Sequence, residues 1–220
     1  MPTPLPPHGI AATLVVLEYT DGEWKVLLNL RSKHLRRHPG EVCFPGGMRE
    51  VEDQNLIETA LREAYEEIGL PGENVRVCSV LKPFMSKHGI PMHPVISLLT
   101  KPFIPFCSEE VEKVFYSPLK AFLQKNNHTS FYIHDHFQLH SFMLEEMVWG
   151  LTAWVCIMVS MSISNQYPEY SIDYIKSRNR PAIEIVVELV ANATRLSEWK
   201  KTIESSQPEP IDVSKGESKI

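Results

Sequence analysis

Hydrophobic and polar positions along the chain change their periodicity several times, and each change predicts a new secondary-structure element. Two runs rich in β-forming residues, 11–19 and 24–30, flank the polar stretch TDGE, which predicts a β-hairpin. Further on, apolar residues recur at helical spacing across residues 54–68. This stripe predicts a helix that buries one face in a core.

The rest of the chain continues this mixture of strands and helices. Strands are predicted at 74–83 and 93–99, and another strand is predicted to start within 109–116. Residues 129–143 predict a hairpin. Predicted helices are a short one opened by Pro118 at its first position and two apolar ones at 150–163 and 182–203. The order predicts an α/β fold with a central mixed sheet between helices, in one domain over residues 10–204, followed by a polar, disordered tail at 205–220.

Composition is that of an ordinary globular chain, with 220 residues, 43% hydrophobic and 22% charged. A net charge of −5 argues against nucleic acid as the main partner. The start lacks the basic and apolar regions of a secretory signal. The longest apolar stretch, Val148 to Ile163, is interrupted by polar and glycine residues and is too short for a membrane span, so it predicts a buried helix.

The four cysteines are widely spaced, and no two form a CxxC pair; they are Cys43, Cys78, Cys107 and Cys156. Cys78 and Cys156 sit inside apolar runs. This usage predicts reduced, buried thiols in an intracellular compartment and argues against a disulfide framework or a structural zinc site.

Three glutamates, Glu63, Glu66 and Glu67, occupy positions i, i+3 and i+4 of the predicted helix. That spacing places them on one face, where like charges repel. A hard divalent cation such as Mg²⁺ would offset the repulsion. The alternative is a solvated acidic face that Arg62 partly neutralises, and the triplet alone favours this alternative.

The flanking residues favour a functional site. The apolar stretch Val42-Cys43-Phe44 leads into Pro45-Gly46-Gly47, which predicts a strand, a tight glycine turn and a loop before the helix. Asp53 is the expected N-cap or first-turn carboxylate, and Gly69 is expected to end the helix. Together these residues place a glycine loop beside the three glutamates.

This arrangement resembles the signature of the Nudix hydrolases, G-x5-E-x7-R-E-U-x-E-E-x-G-U, where U is aliphatic. Gly47 takes the first position, and residues 62–70 match the whole second half. Two departures are visible: Asp53 stands where the signature has Glu, and eight residues instead of seven separate it from Arg62.

A second motif upstream is similar to that of the coenzyme A diphosphatase branch of this family, L-L-T-x-R-[SA]-x3-R-x3-G-x3-F-P-G-G. Positions that agree with it are Arg31, Ser32, Arg36, Gly40 and the FPGG run, whereas Asn29 replaces the Thr. Members of this branch also tend to carry the Asp and the one-residue insertion. The two motifs together span residues 27–70, and the resemblance implies the Nudix α/β/α sandwich.

The resemblance implies metal-dependent hydrolysis of the diphosphate of coenzyme A or acyl-coenzyme A, giving adenosine 3′,5′-bisphosphate and 4′-phosphopantetheine or its acyl form. Mg²⁺ or Mn²⁺ would be held by Glu63 and Glu67, with Glu66 as a further ligand or as the base, and Arg62 would orient them. Glu110 is a second, weaker candidate for the base. Substrate contacts are expected from Gly46 and Gly47 and, through bidentate phosphate binding, from Arg31 and Arg36.

Two alternatives stay open: a Nudix hydrolase of another nucleoside diphosphate, such as NADH or ADP-ribose, and a non-catalytic coenzyme A sensor. The intact glutamate triplet argues against the sensor. The chain ends in Ser218-Lys219-Ile220, close to the Ser-Lys-Leu address read by the peroxisomal import receptor. The expected location is therefore the peroxisome, or the cytoplasm if isoleucine weakens the signal.

Overall fold

The computed structural model of the chain describes residues 9–86, 89–133, 137–173, 175 and 178–190. The strands in this part are β1 (Ala11–Thr20), β2 (Glu23–Arg31), β3 (Val42–Cys43), β4 (Gly46–Met48), β5 (Val75–Val80), β6 (Phe84–Met85), β7 (Pro91–Leu99), β8 (Val111–Pro118), β9 (His128–Ile133), β10 (Phe137–Met143) and β11 (Met147–Trp149). The helices are α1 (Leu56–Ile68) and α2 (Gly150–Ser164), two short 3-10 helices at Gly72–Asn74 and Leu119–Leu123, and a helical stretch at 182–190.

Strands β1 to β8 form one mixed sheet around β1. The first hairpin is confirmed, because β1 and β2 pair antiparallel across the turn at Asp21 and Gly22. β7 runs parallel to β1, and β5 and β6 pair with β7. On the other side, β8 pairs antiparallel along β2, while β3 pairs with β2 and β4 with β1.

Two hydrophobic cores lie on opposite faces of this sheet. Since side chains alternate along a strand, β1 contributes to both: Leu14 and Val16 pack with α1, and Val15 and Leu17 belong to the core that contains α2. The predicted α/β sandwich with a mixed sheet is therefore confirmed.

Strands β9, β10 and β11 form a separate antiparallel sheet that packs against α2 through Phe142 and Val148. The predicted hairpin across 129–143 is confirmed in its two strands, although Asp135 at its centre lies outside the described residues. The last predicted helix is confirmed at 182–190. Its remainder, the tail at 205–220 and the terminal Ser218-Lys219-Ile220 also lie outside.

The start of α1 differs from the sequence prediction. Asn55, not Asp53, is the N-cap, and its Oδ1 accepts hydrogen bonds from the backbone N–H groups of Ile57 and Glu58, at 2.9 and 3.1 Å. Asn fits this role because its short side chain satisfies N–H groups of the first turn. Gly69 ends the helix as predicted, with φ 71°.

Two local predictions about turns are wrong in detail. Gly46 and Gly47 are not a tight turn, because they form β4 and pair with Thr13 and Ala12 of β1. Pro118 precedes the short 3-10 helix instead of being its first residue, since its φ and ψ are extended. In both cases pairing to a neighbouring strand keeps the backbone extended.

All four cysteines are free thiols, and their burial differs from the prediction. Cys156 is buried in the core of α2, as expected, but Cys78 is exposed because it lies on the outer strand β5. Among the described residues, no helix has the length and apolar character needed to cross a membrane.

Candidate active site

The three glutamates of α1 lie in different environments. The side chain of Glu67 is 7% exposed and that of Glu63 18%, whereas that of Glu66 is 56% exposed. Glu67 turns toward the sheet because it borders the stripe formed by Ala60, Ala64 and Ile68. Glu63 and Glu67 therefore do not belong to a solvated acidic face, and only Glu66 fits that description.

Strand β4 approaches these carboxylates closely. The backbone N–H of Gly46 donates a hydrogen bond to Glu67 Oε2 at 3.1 Å. A Cβ atom at Gly47 would lie 2.5 Å from Glu63 Oε1, and one at Gly46 would lie 2.4 Å from the carbonyl oxygen of Ala12. Gly46 requires glycine because its Cβ would collide with the backbone of β1, whereas a side chain at Gly47 would displace the Glu63 carboxylate.

Arg31, at the end of β2, lies between two carboxylates. Its Nη1 is 3.5 Å from Glu67 Oε1, and its Nη2 is 3.3 Å from Glu110 Oε2. The sequence predicts Arg31 as a phosphate ligand but does not indicate these two ion pairs. They arise because the guanidinium reaches the carboxylates that α1 and the start of β8 bring to the end of β2.

Glu110 joins the site through the pairing of β8 with β2. Its carbonyl oxygen accepts a hydrogen bond from the N–H of Ser32, at 2.8 Å, immediately before β8 begins. The preceding loop is fixed to the end of α1, where Ser108 N–H donates to the carbonyl of Glu67 at 3.1 Å. The weaker sequence candidate therefore lies beside the glutamates of α1.

Burial and mutual repulsion change the acidity of this cluster. Desolvation raises the pKa of Glu67 to about 7, the Gly46 N–H and Arg31 oppose that rise, and Glu63 and Glu110 add to it. Desolvation also raises the pKa of Glu63, against the effect of Arg62. The negative charges of Glu66 and Glu110 raise it further. Glu63, Glu67 and Glu110 therefore share one electrostatic environment.

Arg62 holds the outer side of the cluster together. Its Nε and Nη2 donate to the two carboxylate oxygens of buried Asp53, both at 3.1 Å, and its Nη2 also donates to Met48 O. Its Nη1 lies 2.9 Å from Glu66, and Nη2 lies 3.1 Å from Glu63. The hydrogen bonds from Arg62 lower the pKa of Asp53 to about 2. The predicted contact of Arg62 with Glu66 is present, whereas its ion pair with Asp53 was missed.

Arg36, unlike Arg31, forms no ion pair with the described carboxylates. Arg36 is exposed on the loop between β2 and β3 and forms no hydrogen bond or ion pair with any described residue. Its position leaves the guanidinium open to solvent. The predicted phosphate contacts of Arg31, Arg36, Gly46 and Gly47 stay predictions.

The donor chemistry of the cluster fits a hard divalent cation, because Glu63, Glu67 and Glu110 offer carboxylate oxygens in a partly desolvated cleft. As the described side chains are arranged, no three acidic, histidine or cysteine groups form a metal-binding set. Arg31 and Arg62 provide the positive charge instead. Glu63 and Glu67 would have to turn away from these arginines to share an ion.

Comparison with known proteins agrees with this architecture. Residues 7–137, more than half of the chain, match the family model of the NUDIX domain. Over 205 residues the chain is 38% identical to the peroxisomal coenzyme A diphosphatase ndx-8 of Caenorhabditis elegans, which covers 87% of this chain and 88% of that protein. The chain belongs to the Nudix family of hydrolases.

Two further relatives support the same assignment. The chain is 37% identical over 178 residues to the mitochondrial Nudix hydrolase 15 of Arabidopsis thaliana, covering 76% of this chain and 62% of that protein. It is 38% identical over 147 residues to the uncharacterised Nudix hydrolase NudL of Pectobacterium atrosepticum, covering 64% and 76%. The chain is thus a Nudix hydrolase similar to a coenzyme A diphosphatase.

Proposed function

We propose that the protein hydrolyses the diphosphate bond of coenzyme A and its acyl esters, with Mg²⁺ or Mn²⁺ as cofactor. The products are adenosine 3′,5′-bisphosphate and 4′-phosphopantetheine or its acyl form. The observation that carries the substrate assignment is the similarity to ndx-8 along most of both chains. The buried carboxylate cluster at the end of α1 supports the reaction type.

In this proposal, Glu63 and Glu67 hold the metal ion, with Glu66 as a further ligand. A bound divalent ion supplies charge neutralisation at the phosphates and lowers the pKa of a bound water. Family membership supports this cofactor, because Nudix hydrolases generally use divalent metals.

The chain's own groups do the remaining work. Gly46 N–H orients Glu67 through its hydrogen bond, and Arg62 holds Glu66 and Glu63 in place. The candidates for the general base are Glu66, which is exposed, and Glu110, which lies beside Arg31 at the mouth of the cluster. Both can reach solvent, which a group that activates water requires.

Recognition of the substrate is assigned to the positive groups around the cluster. Arg31 and Arg36 bind phosphate, including the 3′-phosphate that distinguishes coenzyme A from other nucleoside diphosphates. Arg36 is suited to phosphate binding because its side chain is exposed and forms no hydrogen bond or ion pair within the described part of the chain. Gly46 and Gly47 allow the phosphates to approach the backbone.

The experiment is chromatographic product analysis with coenzyme A, NADH, ADP-ribose and a capped dinucleotide, each with Mg²⁺. The proposal expects coenzyme A or an acyl ester among the best substrates, cut to the two named products. Preference for NADH or ADP-ribose would assign the protein to another substrate class. Tight coenzyme A binding without turnover, with Mn²⁺ present, would indicate a sensor.

The proposed location is the peroxisome, through recognition of Ser218-Lys219-Ile220 by the import receptor. The terminal tripeptide differs from Ser-Lys-Leu only in its last aliphatic residue. The relative ndx-8 is named as a peroxisomal protein, which supports the same address. If isoleucine weakens the signal, the protein stays in the cytoplasm.

A further inference from the structure

Asn29, Cys43 and Arg31 form what we call the floor of the carboxylate cluster, because Cys43 bonds Asn29 and Arg31 contacts Glu67 and Glu110. Asn29 is its most buried member. It lies in β2 with Cys43 of β3 opposite it on one side and Val114 of β8 on the other, so three strands enclose it. Its exposure is 0%. Leu28 and Leu30 face the core that contains α2, so Asn29 lies on the opposite face of β2. Arg31 contacts Glu67 from that face, although the pairing with β8 shifts register beside it.

The hydrogen bonds of this floor are incomplete in a specific way. Asn29 Oδ1 accepts from the Cys43 thiol at 3.6 Å, but its amide Nδ2 has no partner among the described residues. Arg31 Nε, two residues further along the same face, is also buried without a partner, although both Nη atoms of Arg31 contact carboxylates. Both side chains lie beside the Cys43 thiol, which bonds Asn29 Oδ1 and is within hydrogen-bonding reach of the Arg31 guanidinium.

Buried donors in folded proteins are almost always hydrogen-bonded, to protein or to an ordered water. Both atoms are N–H donors, for which an oxygen is a stronger acceptor than the nearby Cys43 sulfur. A substrate phosphate is a poor occupant because Asn29 is enclosed on all sides. A water molecule fits, since it accepts two hydrogen bonds and still donates toward a carboxylate or the Cys43 sulfur.

We propose that Asn29 is a positioning residue, which together with Arg31 Nε binds one water molecule in the floor of the site and thereby fixes the Arg31 guanidinium between Glu67 and Glu110. Asn29 stands where the second motif has Thr, so the sequence and the motif share a hydrogen-bonding side chain at this position. A hydroxyl at this position can still hydrogen-bond, but it lacks the amide's separate donor and acceptor atoms.

The first test is a high-resolution crystal structure of the full chain. The expected result is an ordered water within hydrogen-bonding distance of both Asn29 Nδ2 and Arg31 Nε. A structure in which both atoms donate directly to protein groups, or in which a substrate phosphate takes this place, would overturn the inference. This test needs no catalytic activity, so its outcome is independent of the proposed function.

The second test compares the kinetics of Asn29→Leu, Asn29→Thr and Gln138→Leu, using whichever diphosphate the wild-type protein cleaves best. Gln138 is the matched control, because it is a buried amide of the second sheet. Its side chain forms hydrogen bonds with Ser130, Ser171 and Asp173. Loss of a group that orients a metal ligand typically lowers activity roughly 10- to 100-fold. We expect that fall in kcat for Asn29→Leu, with KM changed less than about threefold, and substantial recovery in Asn29→Thr.

Gln138→Leu is expected to lower the melting temperature and to leave kcat unchanged. Wild-type kcat in folded Asn29→Leu would overturn the positioning role, as would a rise in KM alone. If Asn29→Leu does not fold, Asn29→Thr and the crystal structure still decide the question. Failure of the coenzyme A assignment would show in the choice of substrate, whereas failure of this inference would show in the kcat of the variants.

Discussion

At the residue scale, the guanidinium of Arg62 connects the loop before α1 to the glutamates on it. It forms a two-pronged ion pair with Asp53, whose side chain is 5% exposed, and it contacts Glu63 and Glu66. A planar guanidinium can satisfy these partners at once, whereas a lysine ammonium could not match the two oxygens of Asp53. Arg62 therefore serves both folding and the arrangement of the site.

The ion pair of Arg62 and Asp53 should be strongly coupled. Because Arg62→Met leaves the buried Asp53 carboxylate without its partner, we expect the free energy of unfolding to fall by about 3 kcal/mol. Adding Asp53→Asn to Arg62→Met should lower the free energy of unfolding only slightly further. A urea-denaturation double-mutant cycle measures this coupling. Arg180→Met, which removes only exposed ion pairs, is the control and should change stability by less than about 1 kcal/mol.

The close contact between Gly47 and Glu63 predicts a severe effect of one methyl group. In Gly47→Ala, the new Cβ would meet the Glu63 carboxylate at 2.5 Å and push it from its place. We expect kcat to fall roughly 10- to 100-fold, as when the orientation of a metal ligand is lost. Gly72→Ala is the control, since its Cβ would meet only Leu61 at 3.7 Å. Equal activity of both variants would contradict the assigned role of Gly47.

At the element scale, the sequence predicts those strands and helices that are determined by local periodicity and turn residues. The hairpin of β1 and β2, the length of α1 and its end at Gly69 follow from periodicity and turn residues. The sequence predicts Asp53 as the N-cap or first-turn carboxylate, whereas the structure has Asn55 as the N-cap. The choice between them depends on the ion pair that draws Asp53 to Arg62.

Contacts between distant parts of the chain account for what the sequence does not predict. Arg31 meets Glu67 and Glu110, which are 36 and 79 residues away, because β2 pairs with β8 and α1 lies over β4. Gly46 and Gly47 form a strand only because β1 is there to pair with them. Local propensity contains no information about these pairings, so the sequence names Arg31 as a site residue but not its partners Glu67 and Glu110.

The second sheet contains a histidine pair, in which His140 is buried and His128 is half-buried. His128 Nε2 and His140 Nδ1 share a hydrogen bond at 2.9 Å, and His128 stacks on Tyr170 with ring centroids 3.5 Å apart. His140 is 1% exposed, and its Nε2 has no partner among the described residues. Burial, and then the neighbouring His128, lower the pKa of His140 to about 4, while Asp173 partly opposes them.

This lowered pKa predicts acid sensitivity. The folded state disfavours protonation of His140, whereas the unfolded chain protonates near its ordinary pKa of 6.5. Neutral His140 therefore makes its full contribution to the free energy of unfolding above about pH 6.5. As the pH falls from 6.5 to 4, this free energy decreases by up to about 3 kcal/mol. Denaturation as a function of pH measures it. His140→Phe should flatten the curve over this range, and exposed His34→Gln should not; an unchanged slope in His140→Phe would contradict the account.

At the scale of the whole molecule, the two faces of the main sheet have different roles. The face under α1 ends in the carboxylate cluster, with Glu67, Glu110 and Arg31 at one end of the strands. The opposite face holds the larger core, which joins α2 and the second sheet. Substitutions such as Gln138→Leu should therefore affect stability separately from catalysis.

The terminal tripeptide predicts the location of the whole protein. A fluorescent protein fused in front of the full chain should reach peroxisomes and should stay in the cytoplasm when Ser218-Lys219-Ile220 is removed. Replacing Ile220 by Leu should give equal or stronger import, because it restores the common form of the signal. Peroxisomal import that is unchanged after deletion of the tripeptide would contradict this address.

The most direct test of the central claim is product analysis of coenzyme A cleavage with Mg²⁺, comparing the wild-type protein, Glu67→Gln and the exposed control Glu52→Gln. We predict adenosine 3′,5′-bisphosphate and 4′-phosphopantetheine from the wild type and the control. For folded Glu67→Gln we predict a kcat lower by roughly 100-fold or more, because the carboxylate proposed to hold the metal ion is lost. Intact coenzyme A after incubation with the wild type, or near-normal turnover by Glu67→Gln, would contradict the account.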